Sequence, residues 1–95
     1  VLSYPHNPTS AIAPLSFFKE AVEFCKQHDL VLVHDFPYVD LYFGETPVPS
    51  ILQADPEKAV SIEFFTMSKS YHMGGFRVGY AIGNAELIRA LRQVK

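Results

Sequence analysis

A lysine in an unexpected setting marks the most informative stretch of this 95-residue sequence. Lys69 closely follows the largely apolar run 62–65, and hydroxyl-bearing residues, two glycines and Arg77 surround or follow it. A lysine ammonium at the end of a buried strand is costly unless it is paired, reaches water or takes part in chemistry. A lysine amine held in a pocket of low polarity loses its charge more readily and becomes a nucleophile for Schiff-base chemistry.

Further polar residues follow other apolar runs of the sequence. Asn7-Pro8-Thr9 follows the first run, Asp35 and Tyr38 follow the second, and 66–69 follows the third. The carboxyl ends of parallel strands meet at one edge of a sheet, so we expect these groups to converge on one ligand. The guanidinium of Arg77 suits a phosphate dianion, and a carboxylate facing an aromatic nitrogen keeps that nitrogen protonated. The set fits a phosphorylated pyridine aldehyde.

The elements that must position these residues alternate along the chain. Apolar residues spaced by three and four predict an amphipathic helix over 15–27, capped by Ser16 or by the preceding turn. The unbroken apolar run 30–33 is typical of a strand buried on both faces. The remaining predictions are strands at 1–4, 59–67 and 78–82, a loop at 39–58 with a helical turn near 50–53, and a helix at 85–94 capped by Asn84.

The predicted order is therefore β-α-β-loop-β-β-α, which defines an α/β fold with a mainly parallel sheet. The short return before the last strand predicts that this strand is antiparallel. Composition predicts one globular unit, since 48% of the residues are hydrophobic and 19% are charged. Because the chain opens on Val1 within an apolar run, we expect it to be a piece of a longer protein.

Charge and cysteine content exclude several classes of function. A net charge of -2 argues against a general nucleic-acid surface, which needs a basic excess. No apolar stretch is long enough to cross a bilayer, so no membrane partner is expected. The single Cys25 cannot form an internal disulfide, which favours a cytoplasmic location and a buried, structural role for this residue.

The four motifs together resemble the class I and II aminotransferases of pyridoxal-phosphate fold type I. They are Asn7-Pro8-Thr9, Asp35-x-x-Tyr38, Thr66-x-x-Lys69, and Arg77 eight residues after the lysine. The resemblance runs over essentially the whole chain. It implies that residues 1–95 are a fragment of the large, three-layer cofactor-binding domain, with the N-terminal part and the small domain absent. The runs 34–38 and 63–71 look closest to LL-diaminopimelate, alanine and aspartate aminotransferases.

The resemblance also implies a role for each motif residue toward pyridoxal 5'-phosphate. Lys69 would form the Schiff base and then carry a proton between substrate and cofactor, and Asp35 would pair with the pyridinium nitrogen. Tyr38 and Asn7 would hydrogen-bond the phenolic oxygen of the ring, with the Asn7-Pro8 bond in the cis form. The implied phosphate anchors are Thr66, Ser68 and Arg77. The sequence departs from the family pattern at Ser10, where glycine is usual, and at Phe76, where tryptophan is common.

The parent protein is expected to exchange an amino group between an amino acid and a 2-oxo acid such as 2-oxoglutarate, acting as a homodimer. The fragment alone is expected to be inactive, because it lacks the family's ring-stacking aromatic, upstream phosphate-binding helix and substrate-carboxylate arginine. It is also expected to self-associate through exposed apolar surface. Alternative parents are a carbon-sulfur lyase, a decarboxylating synthase, or a transcription regulator with an aminotransferase-like sensor domain.

Structural roles are open for several of these residues. Arg77 could form an ion pair with Asp35 or Glu63, and Gly74-Gly75 could supply backbone freedom for the turn toward Arg77. The histidines do not have the spacing of metal ligands, so no metal site is expected. They are His6, His34 and His72 on separate elements and His28 at a helix end.

Overall fold

A computed structural model describes all residues 1–95. Three strands, β1 (Leu32–Asp35), β2 (Ser61–Thr66) and β3 (Gly79–Gly83), form one sheet in this order, with β1 parallel to β2 and β2 antiparallel to β3. This arrangement confirms the predicted α/β class and the antiparallel last strand. The elements are α1 (Leu15–Gln27), β1 (Leu32–Asp35), α2 (Ile51–Ala54), β2 (Ser61–Thr66), α3 (Met67–Ser70), a 3-10 turn (Gly74–Phe76), β3 (Gly79–Gly83) and α4 (Ala85–Val94).

The core lies between α1, α2 and one face of β1. Phe18, Val22 and Cys25 point inward from α1, as the spacing of three and four predicts. They join Leu32 of β1 and Ile51 of α2 in a single buried cluster. The buried, structural role predicted for Cys25 is confirmed. No side chain caps the start of α1, so Ser16 is not the cap; the helix follows Pro14, in the preceding turn.

The first residues of the predicted strand 30–33 belong to the end of α1. The Leu30 amide donates to the carbonyl of Cys25 at 2.9 Å, and Asp29 adopts a left-handed φ of 53°. This is the long hydrogen bond of a Schellman cap, with an aspartate where glycine is usual. Leu30 and Val31 are 47% and 52% exposed, so the prediction that this run is buried on both faces was wrong. The strand starts two residues later and ends on Asp35.

The predicted strand 1–4 is reduced to one bridge. Leu2 pairs in parallel with His34, donating to the Val33 carbonyl at 2.8 Å and accepting from the Asp35 amide at 2.9 Å. The Tyr4 amide does not continue this ladder, because it points at the imidazole Nε2 of His34 at 3.3 Å.

β2 is shorter than the predicted strand 59–67, and β3 is shifted by one residue from the predicted strand 78–82. β2 starts at Ser61 rather than at residue 59, since the Asp55 carboxylate binds the amides of Ala59 and Val60. It ends at Thr66, which caps α3. β3 starts at Gly79, one residue later than predicted. A Cβ there would lie 2.6 Å from the Phe65 carbonyl oxygen, so the two backbones approach too closely for a side chain.

The last helix begins where the sequence predicts it. The side-chain oxygen of Asn84 accepts hydrogen bonds from the amides of Glu86 at 2.9 Å and Leu87 at 3.2 Å. These bonds satisfy two of the free amides at the start of α4 and confirm Asn84 as the cap. None of the helices is long and apolar enough to span a membrane.

A buried carboxylate organises the turn between α2 and β2. Asp55 is 1% exposed and accepts four hydrogen bonds: three from the amides of Ala59, Val60 and Ser61, and one from the Ser61 hydroxyl at 2.7 Å. Burial acts to raise the pKa of Asp55, but these hydrogen bonds outweigh it and hold the pKa below its ordinary value. The ionised form of Asp55 therefore stabilises the folded state.

We predict that Asp55→Asn lowers the free energy of unfolding by about 1.5–3 kcal/mol near neutral pH, because hydrogen bonds to a charged group are lost. The folded-state pKa is depressed, so this contribution is present above the ordinary pKa of about 3.9 and disappears as the pH falls through the folded-state pKa. Urea unfolding of both proteins across this range measures the difference. The exposed Asp40→Asn is the matched control. Equal stability of Asp55→Asn and wild type at neutral pH would refute the role given to this carboxylate.

Candidate functional site

Three segments reach the same end of the sheet. Asp35 is the last residue of β1 and lies opposite Phe64 of the parallel strand β2, two residues before Thr66. The chain at Leu2 also runs parallel to β1, so the loop that follows it and carries Asn7 leaves from that end. The topology thus gathers the segments that carry all the candidate residues at the carboxyl edge of the parallel strands.

Asn7 and Tyr38 meet directly across this edge. The Asn7 side-chain amide donates to the Tyr38 hydroxyl oxygen at 3.1 Å, although 31 residues separate them in the sequence. The Asn7-Pro8 peptide bond is cis, as the family resemblance implies. The Tyr4-Pro5 bond is also cis, which was not predicted from the sequence.

Lys69 lies on the short helix α3 rather than on a strand. The hydroxyl oxygen of Thr66 accepts the amide hydrogen of Ser68 at 3.1 Å, which caps this helix where β2 ends. Lys69 is exposed and no carboxylate lies within 4.0 Å of its amine. The adjacent Ser70 carries the one buried side-chain oxygen or nitrogen that has no hydrogen-bond partner.

Arg77 is held by its own turn. Its Nη1 donates to the Gly74 carbonyl at 3.3 Å, and its backbone takes the left-handed conformation with φ of 56°. The alternative that Arg77 pairs with Asp35 or Glu63 was wrong, because no carboxylate lies within 4.0 Å of its guanidinium and the single acid–base contact within that distance joins His34 to Glu63. The guanidinium is exposed and has most of its donors free.

Gly74 and Gly75 were predicted to supply backbone freedom for the turn toward Arg77, but they do not adopt the left-handed conformation there. Gly74 and Gly75 lie in a 3-10 turn, and neither has a positive φ. The left-handed conformation falls on Arg77 itself, which reverses the chain toward β3.

A buried ionisable pair that was not predicted from the sequence lies beneath the site. His34 Nδ1 lies 2.6 Å from Glu63 Oε2, and both side chains are fully buried. Glu63 also accepts from the Ser50 hydroxyl at 2.6 Å and from the Ile51 amide at 2.8 Å. The available signal was an ionisable residue inside each of two largely apolar strands, since such a residue requires a buried partner.

An open cavity of about 580 Å³ adjoins the Asn7–Tyr38 contact. Asn7 and Tyr38 both line it, together with the aromatic part of the predicted loop 39–58. The contributing loop side chains are Leu41, Tyr42, Phe43, Thr46 and Val48. No group of three histidine, cysteine or acidic side chains gathers here or elsewhere in the chain.

Comparisons with known proteins define the family of this chain. All residues 1–95 match the family described as Aminotransferase class I and II, and the chain belongs to that family. An LL-diaminopimelate aminotransferase of Dehalococcoides mccartyi is 54% identical over 95 residues, which cover 99% of this chain and 24% of that protein. An LL-diaminopimelate aminotransferase of Trichormus variabilis is 48% identical, with the same coverage.

The solved structures that resemble this chain are aminotransferases, as are its sequence relatives. A probable N-succinyldiaminopimelate aminotransferase from Thermus thermophilus superposes with a TM-score of 0.92 at 43% identity, covering 98% of this chain and 25% of that one. An aminotransferase from Staphylococcus aureus gives 0.89 at 43% identity, with the same coverage. The chain spans about a quarter of the length of these proteins.

The residues present fit the cofactor that this family generally uses. Pyridoxal phosphate needs a primary amine, an acid for the ring nitrogen, donors for the phenolic oxygen and cations or hydroxyls for the phosphate. Lys69, Asp35 and Arg77 have no ionic partner within the chain, and Asn7 and Tyr38 already face each other.

We predict that Thr66→Ala lowers the free energy of unfolding by about 1 kcal/mol, because α3 loses its cap. Thr66→Ser keeps the hydroxyl and should stay within a few tenths of a kcal/mol of wild type. The exposed Thr46→Ala is the matched control, for which no hydrogen bond is lost. Urea unfolding midpoints measure all three variants. An alanine variant as stable as the serine variant would show that the cap contributes nothing.

Proposed function

We propose that this chain is part of the large domain of a pyridoxal-phosphate-dependent aminotransferase. Its N-terminal part and small domain would lie elsewhere in the longer protein. The observation that carries the proposal is the convergence of Asn7, Tyr38, Asp35 and the Lys69 helix at one edge of the sheet. Membership of the aminotransferase family over the full 95 residues supports it.

The cofactor, when bound, supplies an aldehyde that condenses with amines and a ring that withdraws electrons from the substrate Cα. Lys69 would provide the amine that holds the cofactor. Its Nζ would also take the proton from the substrate Cα and hold it for return. The amine is exposed and has no ionic partner, so it is free to change position between these two roles.

The other side chains tune and orient the cofactor. Asp35 is an exposed carboxylate at the end of β1, and its negative charge would keep a proton on the ring nitrogen. The Tyr38 hydroxyl and the Asn7 amide would stabilise negative charge on the phenolic oxygen. Hydrogen bonds from both groups favour the ionised form of that oxygen.

The phosphate would lie where β2 turns into α3 and where Arg77 returns toward β3. Arg77 offers a planar set of donors for two phosphate oxygens. Thr66 accepts from the Ser68 amide, so its hydroxyl hydrogen is free to donate to an anion. The Ser68 hydroxyl is a third candidate donor at the same turn.

The substrates we propose are an amino-acid donor and a 2-oxo-acid acceptor such as 2-oxoglutarate. Two relatives, at 54% and 48% identity, are named LL-diaminopimelate aminotransferases, which supports that compound as the first donor to test. Aspartate and alanine are the next donors. We further propose a homodimer as the working unit and, because the single cysteine is free and buried, a cytoplasmic location.

The first test is to identify the lysine that binds the cofactor. The full-length protein that contains this chain is loaded with pyridoxal phosphate, reduced with borohydride, digested and mapped by mass spectrometry. We predict modification at Lys69, and loss of about 10²–10⁴-fold or more in kcat for Lys69→Ala, since the proton carrier is lost. Lys19→Ala, an exposed lysine of α1, is the matched control. Modification at another lysine would overturn the proposal.

We also predict that the isolated 95-residue chain has no measurable transamination, even with cofactor added. It corresponds to about a quarter of each relative, so most of the substrate site would come from elsewhere. The assay pairs LL-diaminopimelate, aspartate or alanine with 2-oxoglutarate and measures glutamate. Glutamate formation by the isolated chain would contradict this prediction. Elimination or decarboxylation by the full-length protein, without transamination, would instead favour a lyase or a synthase.

A further inference from the structure

We propose that His34 is a positioning residue that holds the Asn7 loop against Tyr38. His34 does not touch the proposed cofactor site, because its side chain is fully buried beneath the edge of the sheet. It precedes Asp35 on β1, and the two side chains point to opposite faces of the strand. The spectral part of the test below rests on the proposed function, whereas the structural part does not.

The loop that carries Asn7 is closed upon itself. The His6 amide donates to the Ala11 carbonyl at 2.9 Å, and the Ser10 amide donates to the His6 carbonyl at 2.7 Å. The His6 imidazole Nδ1 lies 2.8 Å from the Thr9 hydroxyl. Asn7 is therefore part of a compact unit, and its position depends on how that unit is attached to the sheet.

His34 supplies an attachment point just before this loop. Its Nε2 lies 3.3 Å from the Tyr4 amide nitrogen and 3.1 Å from the Tyr4 carbonyl oxygen. A neutral ring can accept from the amide, and a protonated ring can donate to the carbonyl. The imidazole thus has a partner on Tyr4 in either protonation state, and Tyr4 lies three residues before Asn7.

The other side of the ring is fixed by Glu63. The 2.6 Å contact from His34 Nδ1 to Glu63 links β1 to β2 within a buried environment. Glu63 is in turn held by Ser50 and by the Ile51 amide at the start of α2. A ring fixed on one side by β2 and the start of α2 can set the position of the Tyr4 backbone on the other side.

The consequence for the site is geometric. Tyr38 follows His34 by four residues on the same segment, and Asn7 follows Tyr4 by three residues on the other. The His34–Tyr4 contact and the 3.1 Å Asn7–Tyr38 contact therefore join the same two segments at two points. Loss of the first contact should loosen the second.

The test uses the full-length protein and two substitutions, each of which keeps one of the two contacts that the His34 ring makes. His34→Asn places an amide near the position of Nδ1, which can still reach Glu63 but not Tyr4. His34→Gln places an amide near the position of Nε2, which can still reach Tyr4. His28→Asn, at the exposed end of α1, is the matched control.

Two measurements report on the position of Asn7 rather than on the overall stability of the protein. A crystal structure gives the distance from Asn7 Nδ2 to the Tyr38 hydroxyl, which we expect to exceed about 3.5 Å in His34→Asn and to stay near 3.1 Å in His34→Gln. In cofactor-loaded protein, the pH midpoint of the cofactor's visible absorbance change should rise by about half a unit to one unit in His34→Asn. Asn7→Ala should give the same shift, and the double variant should add little more.

A purely structural role for His34 would lower the melting temperature and move neither readout. An unchanged distance in His34→Asn, or an unchanged midpoint in the loaded protein, would overturn the proposal. Wild-type protein that shows no such absorbance change would count against the proposed function instead, and the distance would then decide this inference alone. If His34→Asn does not fold, the isosteric Glu63→Gln carries the same test, with a smaller shift of the same sign expected.

Discussion

The imidazole of His34 and the carboxyl group of Glu63 meet at 2.6 Å in the interior and join the two parallel strands. Glu63 takes hydrogen bonds from β1, from the Ser50 hydroxyl and from the first amide of α2, while His34 passes the connection on to Tyr4. Two parallel strands, a helix start and an incoming loop thus share one buried polar centre. Such a centre favours one register, because a shifted strand would leave buried polar groups without their partners.

The same register explains why the surface above the pair is rich in polar groups. With His34 opposite Glu63, Asp35 is brought to the end of β1, and Thr66 ends the neighbouring strand. Alternation along β1 buries His34 and exposes Asp35, so one short segment supplies both a buried partner for Glu63 and an exposed carboxylate at the edge of the sheet. The polar edge and the buried pair therefore both follow from the register of β1 and β2.

Local patterns in the sequence were enough to predict much of the fold. The spacing of apolar residues predicted α1 and α4, and the short return before residue 79 predicted an antiparallel β3. The predicted starts of two strands were wrong, because a side chain or a helix cap forms hydrogen bonds with the backbone amides at those positions. Leu30 closes the end of α1, and Asp55 binds the amides of Ala59 and Val60, so two predicted strands start later.

The site was only partly accessible from the sequence for a related reason. Motif spacing predicted which residues would face a ligand, because their types and order are informative. The link between His34 and Glu63 joins residues 29 positions apart and depends on strand register, which no local pattern contains. Arg77 likewise adopts a left-handed backbone that its glycine neighbours would have been expected to provide.

We propose that Asp35, Tyr38, Asn7, Lys69 and Arg77 hold one molecule of pyridoxal phosphate at this edge of the sheet. A crystal structure of the full-length protein grown with the cofactor tests this proposal. We expect the ring nitrogen within hydrogen-bond distance of Asp35, the phenolic oxygen at Tyr38 and Asn7, and the phosphate at Arg77 and Thr66. A cofactor bound at a different edge, or a ring whose nitrogen faces away from Asp35, would overturn the proposal.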